Sequence, residues 1–174
     1  MRWEWLEAKG AVQLTVVQKQ TPFFETPVDI GVTTAAGKKV ERLQIGKRQR
    51  EVFRIASDSR PRLVRFDEGN HLLMELEFPK STDELVYQLE HDDAMGRLWA
   101  ASQLKGKGTE AALQKSASGD KFWAVRREAV NAEAGFFSES AKDPKPEVRA
   151  AAMQSPRDGL RRAVGSALVA LGDR

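Results

Sequence analysis

The chain has 174 residues, of which 41% are hydrophobic and 30% charged, the composition of a globular protein with one medium domain or two small ones. The absence of cysteine excludes disulfides, thiolate zinc sites and cysteine nucleophiles. Because no run approaches the roughly 18 apolar residues of a membrane-spanning helix, we expect a soluble protein without a membrane span, either cytoplasmic or exported.

The net charge of +3 arises in the first half of the chain. Residues 1–80 contain 14 lysines and arginines against 11 acidic residues, whereas residues 81–174 contain 14 of each kind. The one basic cluster is Lys47, Arg48, Arg50 and Arg54. We expect this cluster in a strand, where neighbouring side chains point to opposite faces and cannot form one basic surface. The charge pattern therefore argues against a nucleic-acid partner.

The hydrophobic pattern has a period of two before residue 80, which predicts half-buried strands. Five stretches show apolar residues in this arrangement: 12–16, 28–32, 40–45, 52–55 and 63–66. A glycine-containing segment joins the second to the third, so residues 28–45 are predicted as a β-hairpin with a loop of four or five residues. Five strands without an intervening helix favour an antiparallel β-sandwich over residues 1–80.

After residue 80 the period changes to about three and a half, which predicts helices over residues 81–174. Ser81 and Glu84 have the spacing of a capping box, in which each side chain accepts the backbone amide of the other residue. We expect His91 to end the helix that starts there. Asp92 and Asp93 would then cap the next helix, so the sequence His-Asp-Asp is interpreted as a helix boundary and not as a metal site.

The helical part repeats an Arg-x-x-Ala pattern three times: at Arg97, Arg126 and Arg149. An aspartate lies a few residues before each arginine: Asp92 or Asp93, Asp120, and Asp143. Aspartate is a favoured N-cap, and small alanines let helices approach closely, so the pattern predicts a HEAT-like array of stacked helices. We expect Trp99 and Trp123 in its core and a last capping helix at 160–171.

The residues that could carry chemistry form no recognised motif. His71 and His91 are 20 residues apart and lack the His-Glu-x-x-His spacing of a zinc site. There is no Gly-x-Ser-x-Gly nucleophile elbow, and the turn at 106–109 is too short for a phosphate-binding loop. Two acidic pairs are interpreted as solvated charges: Asp67 with Glu68, and Glu75 with Glu77. We therefore assign the chain no catalytic, cofactor-binding or metal-binding residue.

Three stretches occur in an order that is typical of one enzyme family. They are Gly10-Ala11-Val12-Gln13-Leu14-Thr15-Val16; the segment from Phe24 to Val32 with the later Arg60-Pro61-Arg62-Leu63-Val64-Arg65-Phe66-Asp67; and Glu84-Leu85-Val86-Tyr87-Gln88-Leu89 followed by Asp92-Asp93-Ala94-Met95-Gly96-Arg97-Leu98-Trp99-Ala100-Ala101. In this order they resemble the C-terminal region of the M1-family (gluzincin) zinc aminopeptidases, the relatives of membrane alanyl aminopeptidase.

The resemblance implies a β-sandwich domain over 1–80, with residues 1–9 as the remnant of an upstream helix, and a HEAT-like helical domain over 81–174. It also implies a parent enzyme that removes N-terminal amino acids from peptides. The family's His-Glu-x-x-His and Gly-x-Met-Glu-Asn motifs are missing here. The resemblance therefore implies that the zinc and the peptide substrates belong to an upstream catalytic domain, the expected partner of this chain.

We accordingly expect this chain to be a non-catalytic C-terminal fragment of a zinc metallopeptidase, and not an enzyme by itself. Its expected role is that of a structural spacer and of a wall that limits access to the catalytic domain. The alternative prediction is a protein-binding scaffold that uses the surface of the helical repeats, because stacked helices present an extended concave face.

Overall fold

The computed structural model describes residues 1–132 and 137–154, which form an α+β chain. Two units divide within the first α-helix: Met1–Glu84 and Leu85–Arg174. The strands of the described residues are β1 (Arg2–Leu6), β2 (Ala11–Val17), β3 (Thr26–Thr34), β4 (Gly37–Ile45), β5 (Arg50–Ala56) and β6 (Leu63–Phe66). The α-helices are α1 (Thr82–His91), α2 (Ala94–Gln103), α3 (Glu110–Gly119), α4 (Trp123–Ala132), α5 (Phe137–Ser140) and α6 (Pro146–Met153). Within 1–132 and 137–154, none of the helices combines the length and the hydropathy that a membrane-spanning segment requires.

The first sheet has the strand order β1-β2-β5, and its neighbouring strands are antiparallel. The prediction of a helix remnant over 1–9 is wrong, because most of that segment forms β1, followed by a short 3-10 turn. The reason is visible in the sequence. Trp3 and Trp5 are half-buried and alternate with the exposed Arg2 and Glu4, which is the period of a strand.

The second sheet has the strand order β4-β3-β6 and contains the predicted hairpin. Its loop consists of two residues, Ala35 and Ala36, instead of the four or five predicted, because the pairing continues to Thr34 and Gly37. Gly37 has a φ of 129°, a conformation that glycine adopts without strain.

The strands predicted near 52–55 and 63–66 are confirmed as β5 and β6. Both sheets contribute to the apolar core of the first unit: Val12, Leu14, Val16, Val28, Ile30, Val32, Ile45, Ile55, Val64 and Phe66. The packing of the two sheets as a sandwich stays a prediction.

The basic cluster is not confined to a strand, which corrects the sequence prediction. Lys47 and Arg48 lie in the bend between β4 and β5, whereas Arg50 and Arg54 lie on β5 itself. All four residues are exposed. Residues four apart in a strand point to the same face, so Arg50 and Arg54 share one exposed surface.

The start of α1 confirms one half of the predicted capping box. The Glu84 amide donates to Ser81 Oγ at 3.2 Å, but the Glu84 carboxylate turns to other partners, described below. As predicted, α1 ends at His91. Asp93 caps α2 by accepting the Gly96 amide at 2.7 Å, which also confirms the helix boundary expected here.

The second unit is built around an apolar core of leucine, valine and alanine side chains. The largest of its buried residues are Leu85, Leu89, Leu104, Leu113, Val125, Val130 and Val148. Trp99 and Trp123 are partly buried and pack against this core, so they lie at its edge and not inside it as predicted. The helix predicted at 160–171 lies outside the described residues, and the HEAT-like arrangement stays a prediction.

Candidate functional site

Alternating aspartates and arginines link three helices of the second unit in a series that we call the Asp–Arg ladder. Its members are Asp92, Arg97, Asp120, Arg126, Asp143 and Arg149. Arg97, on α2, donates from Nε and Nη2 to the two carboxylate oxygens of Asp120 at 2.7 and 2.9 Å. Its Nη1 donates to the backbone carbonyl of Asp92 at 2.8 Å. One guanidinium therefore joins the turn before α2 to the turn before α4.

The same geometry recurs one step further along the chain. Arg126, on α4, donates to both carboxylate oxygens of Asp143 at 2.6 and 3.0 Å and to the backbone carbonyl of Asp120 at 2.8 Å. Arg149, on α6, donates to the backbone carbonyl of Asp143 at 2.7 Å. Asp120 and Asp143 thus bind the preceding arginine with the carboxylate and the following arginine with the carbonyl.

The ion pairs of the ladder are shielded from water. The side chains of Asp120 and Asp143 are only 7% and 8% exposed. The hydrogen bonds from Arg126 hold the pKa of Asp143 below its usual value, and those to Asp143 raise the pKa of Arg126. Because a bidentate arginine–carboxylate pair fixes both distance and orientation, the ladder sets the starts of α2, α4 and α6 relative to one another.

The ladder also corrects the predicted N-caps at two aspartates. α4 begins at Trp123 and α6 at Pro146, in each case three residues after the aspartate. Asp120 and Asp143 each accept the backbone amide two residues further on, at 2.8 Å. This is the hydrogen bond of an Asx-turn, so these carboxylates order the turn before each helix and do not cap the helix itself.

A buried ion pair lies where α1 begins in the first unit. The side chains of Lys80 and Glu84 are 1% and 5% exposed, and Nζ lies 2.8 Å from Oε1. The carboxylate also accepts the Val64 amide at 3.0 Å and the Trp3 indole N–H at 3.1 Å. Lys80 Nζ in turn donates to the Val64 carbonyl. Because β6 is an edge strand, these two side chains satisfy backbone groups that have no strand partner there.

The two histidines lie in different settings. His91 is exposed, and its ring centroid lies 4.5 Å from that of Tyr87. His71 is exposed in the loop after β6. The segment at 106–109 forms the predicted turn, with positive φ at Gly106 and Gly108, and α3 follows it.

One of the two acidic pairs, Asp67 with Glu68, differs from the prediction of solvated charges. Asp67 is buried, and its carboxylate accepts the Leu72 amide at 2.8 Å, so it shapes the turn after β6. Glu68 pairs with Lys38. Glu77 pairs with Lys19, and both of these side chains are well exposed. Glu75 and Glu77 therefore keep the exposed positions predicted for all four.

The sequence carried signals for both networks that the predictions left unused. Lys80 and Glu84 have the i, i+4 spacing of a helical ion pair. Asp120 and Asp143 both stand six residues before an arginine, at Arg126 and Arg149, a constant offset that indicates more than a cap. The identity of each arginine's carboxylate partner had no local signal, because that partner belongs to the next step of the ladder.

Comparison with known proteins shows a likeness in fold. No family model and no curated protein matches the chain. An aminopeptidase A of Legionella pneumophila, whose crystal structure contains aspartic acid, is similar over 96% of this chain, with a TM-score of 0.55 and 13% sequence identity. The chain spans 22% of the length of that enzyme. The α+β fold of this chain is therefore similar to that of one part of a larger aminopeptidase.

Proposed function

We propose that the chain is a non-catalytic region of a larger zinc aminopeptidase of the M1 family. In this proposal the β-strand unit is a spacer, and the helical unit, as a HEAT-like array, is a wall that limits access to a separate catalytic domain. The observation that carries the proposal is the likeness in fold between 96% of this chain and 22% of the aminopeptidase A. The three sequence stretches that resemble the M1 family support the same parent.

The Asp–Arg ladder supports the role of a wall. Many of the buried residues between helices are alanines, such as Ala100, Ala129 and Ala152, and each of these buries little apolar surface. Apolar contacts of this kind hold helices together but fix their orientation weakly. Bidentate ion pairs that are shielded from water add the missing directional restraint. A surface held in this way would keep its shape beside an active site.

The parent reaction in this proposal is hydrolysis of the N-terminal peptide bond. Zinc bound in the catalytic domain would supply an activated water for that step. No residue of this chain is given a catalytic role. The contribution of the chain would be to restrict which peptides reach the zinc, so its loss should change the choice of substrate more than the chemistry.

The first test is an activity assay of the purified chain. We expect no release of p-nitroaniline from alanine or aspartate p-nitroanilide, with or without added zinc. Turnover that depends on zinc, in a preparation free of other peptidases, would contradict the proposal.

The second test uses the coding sequence upstream of Met1, which we expect to encode a His-Glu-x-x-His motif in the same reading frame. If it does, deletion of residues 85–174 from the longer protein should raise the hydrolysis of long peptides relative to aminoacyl p-nitroanilides. An upstream sequence without a zinc motif would contradict the proposal and favour the protein-binding scaffold.

A further inference from the structure

β5 is an edge strand with one open side. It pairs with β2 and with no other strand of the described residues. Hydrogen bonds join Gln18 to Gln49 just before β5 and Ser57 to Gly10 just after it, both at 2.9 Å. Because hydrogen-bonded and non-hydrogen-bonded pairs alternate along antiparallel strands, the residues at 50, 52, 54 and 56 turn their N–H and C=O groups away from β2. No backbone partner for these groups occurs within 1–132 or 137–154.

The side chains along this open edge carry positive charge without a counter-charge. Arg50 and Arg54 are exposed, and Val52 between them is 48% exposed. Neither arginine has an acidic partner within 4.0 Å in the described part of the chain. Along this edge, an exposed apolar side chain, Val52, therefore lies between two exposed positive ones, Arg50 and Arg54.

The edge of the other sheet has the same composition but is neutralised. On β4, Lys38 pairs with Glu68, and Arg42 pairs with Asp29 in a bidentate contact at 2.7 Å. Lys39, the third cation of β4, lies 3.8 Å from Glu41. The cations of β4 are thus compensated within the first unit, while Arg50 and Arg54 of β5 are not. This contrast is the reason for assigning a partner to β5 and not to β4.

The bend that leads into β5 is held in place by the side chain of Gln18. The Gln18 amide donates to the carbonyls of Gly46 and Arg48 at 2.9 and 3.3 Å, which orders the bend that also carries Lys47.

We propose that the open edge of β5 binds an acidic peptide in extended conformation, which joins the first sheet as a fourth strand. The alternating N–H and C=O groups of the edge are complementary to the backbone of another strand. Two acidic side chains four residues apart on that strand would lie beside Arg50 and Arg54, and an apolar side chain midway between them would lie beside Val52. The proposal does not depend on the function proposed above.

Two other partners fit this edge less well. A nucleic acid would be attracted by the arginines but has no amide groups to pair with the strand. A second copy of the chain, aligned antiparallel about Val52, would place Arg50 opposite Arg54, and like charges in that position repel. Charged edges are a common protection against self-pairing, and here the same charges select for an acidic strand.

The test uses the full chain and a fluorescently labelled seven-residue peptide with glutamates at positions 2 and 6, valine at position 4 and serine or threonine elsewhere, so that one face of the strand reads Glu, Val, Glu. Binding is measured by fluorescence anisotropy. The Arg50→Gln/Arg54→Gln double variant is expected to raise the Kd roughly 2- to 30-fold, the range for two exposed ion pairs. The matched control is Lys38→Gln/Arg42→Gln, which removes the same charge from the β4 edge. It should leave the Kd within about twofold of the wild type.

The Val52→Pro variant distinguishes the contribution of backbone hydrogen bonds to peptide binding from the contribution of charge. It removes one outward N–H from the edge, where proline is tolerated because that group does not bond to β2. All charges remain, so we expect peptide binding to weaken by about tenfold or more, with an unchanged circular dichroism spectrum. If the proline variant is misfolded by that spectrum, a peptide N-methylated at alternate residues replaces it as the probe and should bind equally weakly.

Three results would overturn the proposal. One is that the wild-type chain does not bind the acidic peptide. Another is that blocking the backbone, in the protein or in the peptide, leaves the Kd unchanged. The third is that a twelve-nucleotide oligothymidine binds more tightly than the peptide and is unaffected by Val52→Pro, which would identify a nucleic-acid surface instead.

Discussion

Arg126 binds both carboxylate oxygens of Asp143, at 2.6 and 3.0 Å, and the backbone carbonyl of Asp120, at 2.8 Å. One side chain therefore uses three nitrogens to connect the turns before α4 and α6. Arg97 repeats the arrangement one step earlier, with Asp120 and Asp92 as its partners. The repeat in the sequence is thus a repeat of contacts, and it can be tested one contact at a time.

The first prediction concerns the strength of one contact in the ladder. Arg126→Met leaves the carboxylate of Asp143 shielded without its partner, so we expect a loss of about 2–4 kcal/mol in the free energy of unfolding. Arg126→Lys keeps the charge but not the bidentate geometry and should lose less. Urea unfolding followed by circular dichroism at 222 nm measures both.

The matched control for Arg126 is Lys115→Met. Lys115 pairs with Glu90 at 2.9 Å, but on the surface, where ion pairs contribute less than about 1 kcal/mol. Equal losses in Arg126→Met and Lys115→Met would show that the ladder has no special strength.

The second prediction concerns pH. The pKa of Asp143 is lowered in the folded chain, chiefly by its hydrogen bonds with Arg126, from a usual value of about 3.9. A lowered carboxyl pKa means that its stabilising contribution is present above about pH 4 and is lost as the pH falls through the folded-state pKa. Asp143→Asn should therefore flatten the acid limb of a plot of unfolding free energy against pH.

The control for the pH experiment is Glu75→Gln, which changes an exposed acid outside the ladder. Its acid limb should stay parallel to that of the wild type. If Asp143→Asn gives the same slope as the wild type below pH 4, the coupling between Asp143 and Arg126 is refuted.

The third prediction concerns the buried pair in the first unit. Glu84→Gln removes the carboxylate that pairs with the buried Lys80 ammonium, so a loss of about 3–5 kcal/mol is expected. The tryptophan fluorescence of Trp3 should also change, because its indole N–H donates to the same carboxylate. Glu77→Gln breaks an exposed lysine–glutamate pair and should cost below about 1 kcal/mol. A Glu84→Gln variant as stable as Glu77→Gln would contradict this account.

The fourth prediction compares two glycines by backbone conformation. Gly69 has a φ of 93°, and an added Cβ would lie 2.5 Å from His71 Nε2. Gly69→Ala should therefore destabilise the first unit by about 1–2 kcal/mol. Gly119, at the end of α3, has open space around its Cβ position and no positive φ. Gly119→Ala should be neutral or stabilise by up to about 1 kcal/mol, and thermal unfolding of the two variants decides between these signs.

Most secondary-structure elements of this chain follow from local patterns of residues. Alternation of apolar residues placed the strands near 28–32, 52–55 and 63–66, and Ser81 marked the start of α1, because both patterns depend only on neighbouring residues. Trp3 and Trp5 follow the same alternation, which agrees with strand β1 and not with the predicted helix.

The pairing of charged side chains, in contrast, depends on the folded structure and not on local sequence. Arg97 and Asp120 are 23 residues apart, and Arg126 and Asp143 are 17 apart, so packing of the helices has to bring them together before either pair can form. Glu84 kept its expected backbone bond to Ser81, yet its carboxylate turned to Lys80, Trp3 and Val64, because burial removes water as the competing partner. The period of apolar residues can be recognised within one segment of sequence. The partner of a buried charged side chain cannot, because it depends on how distant segments pack in the folded chain.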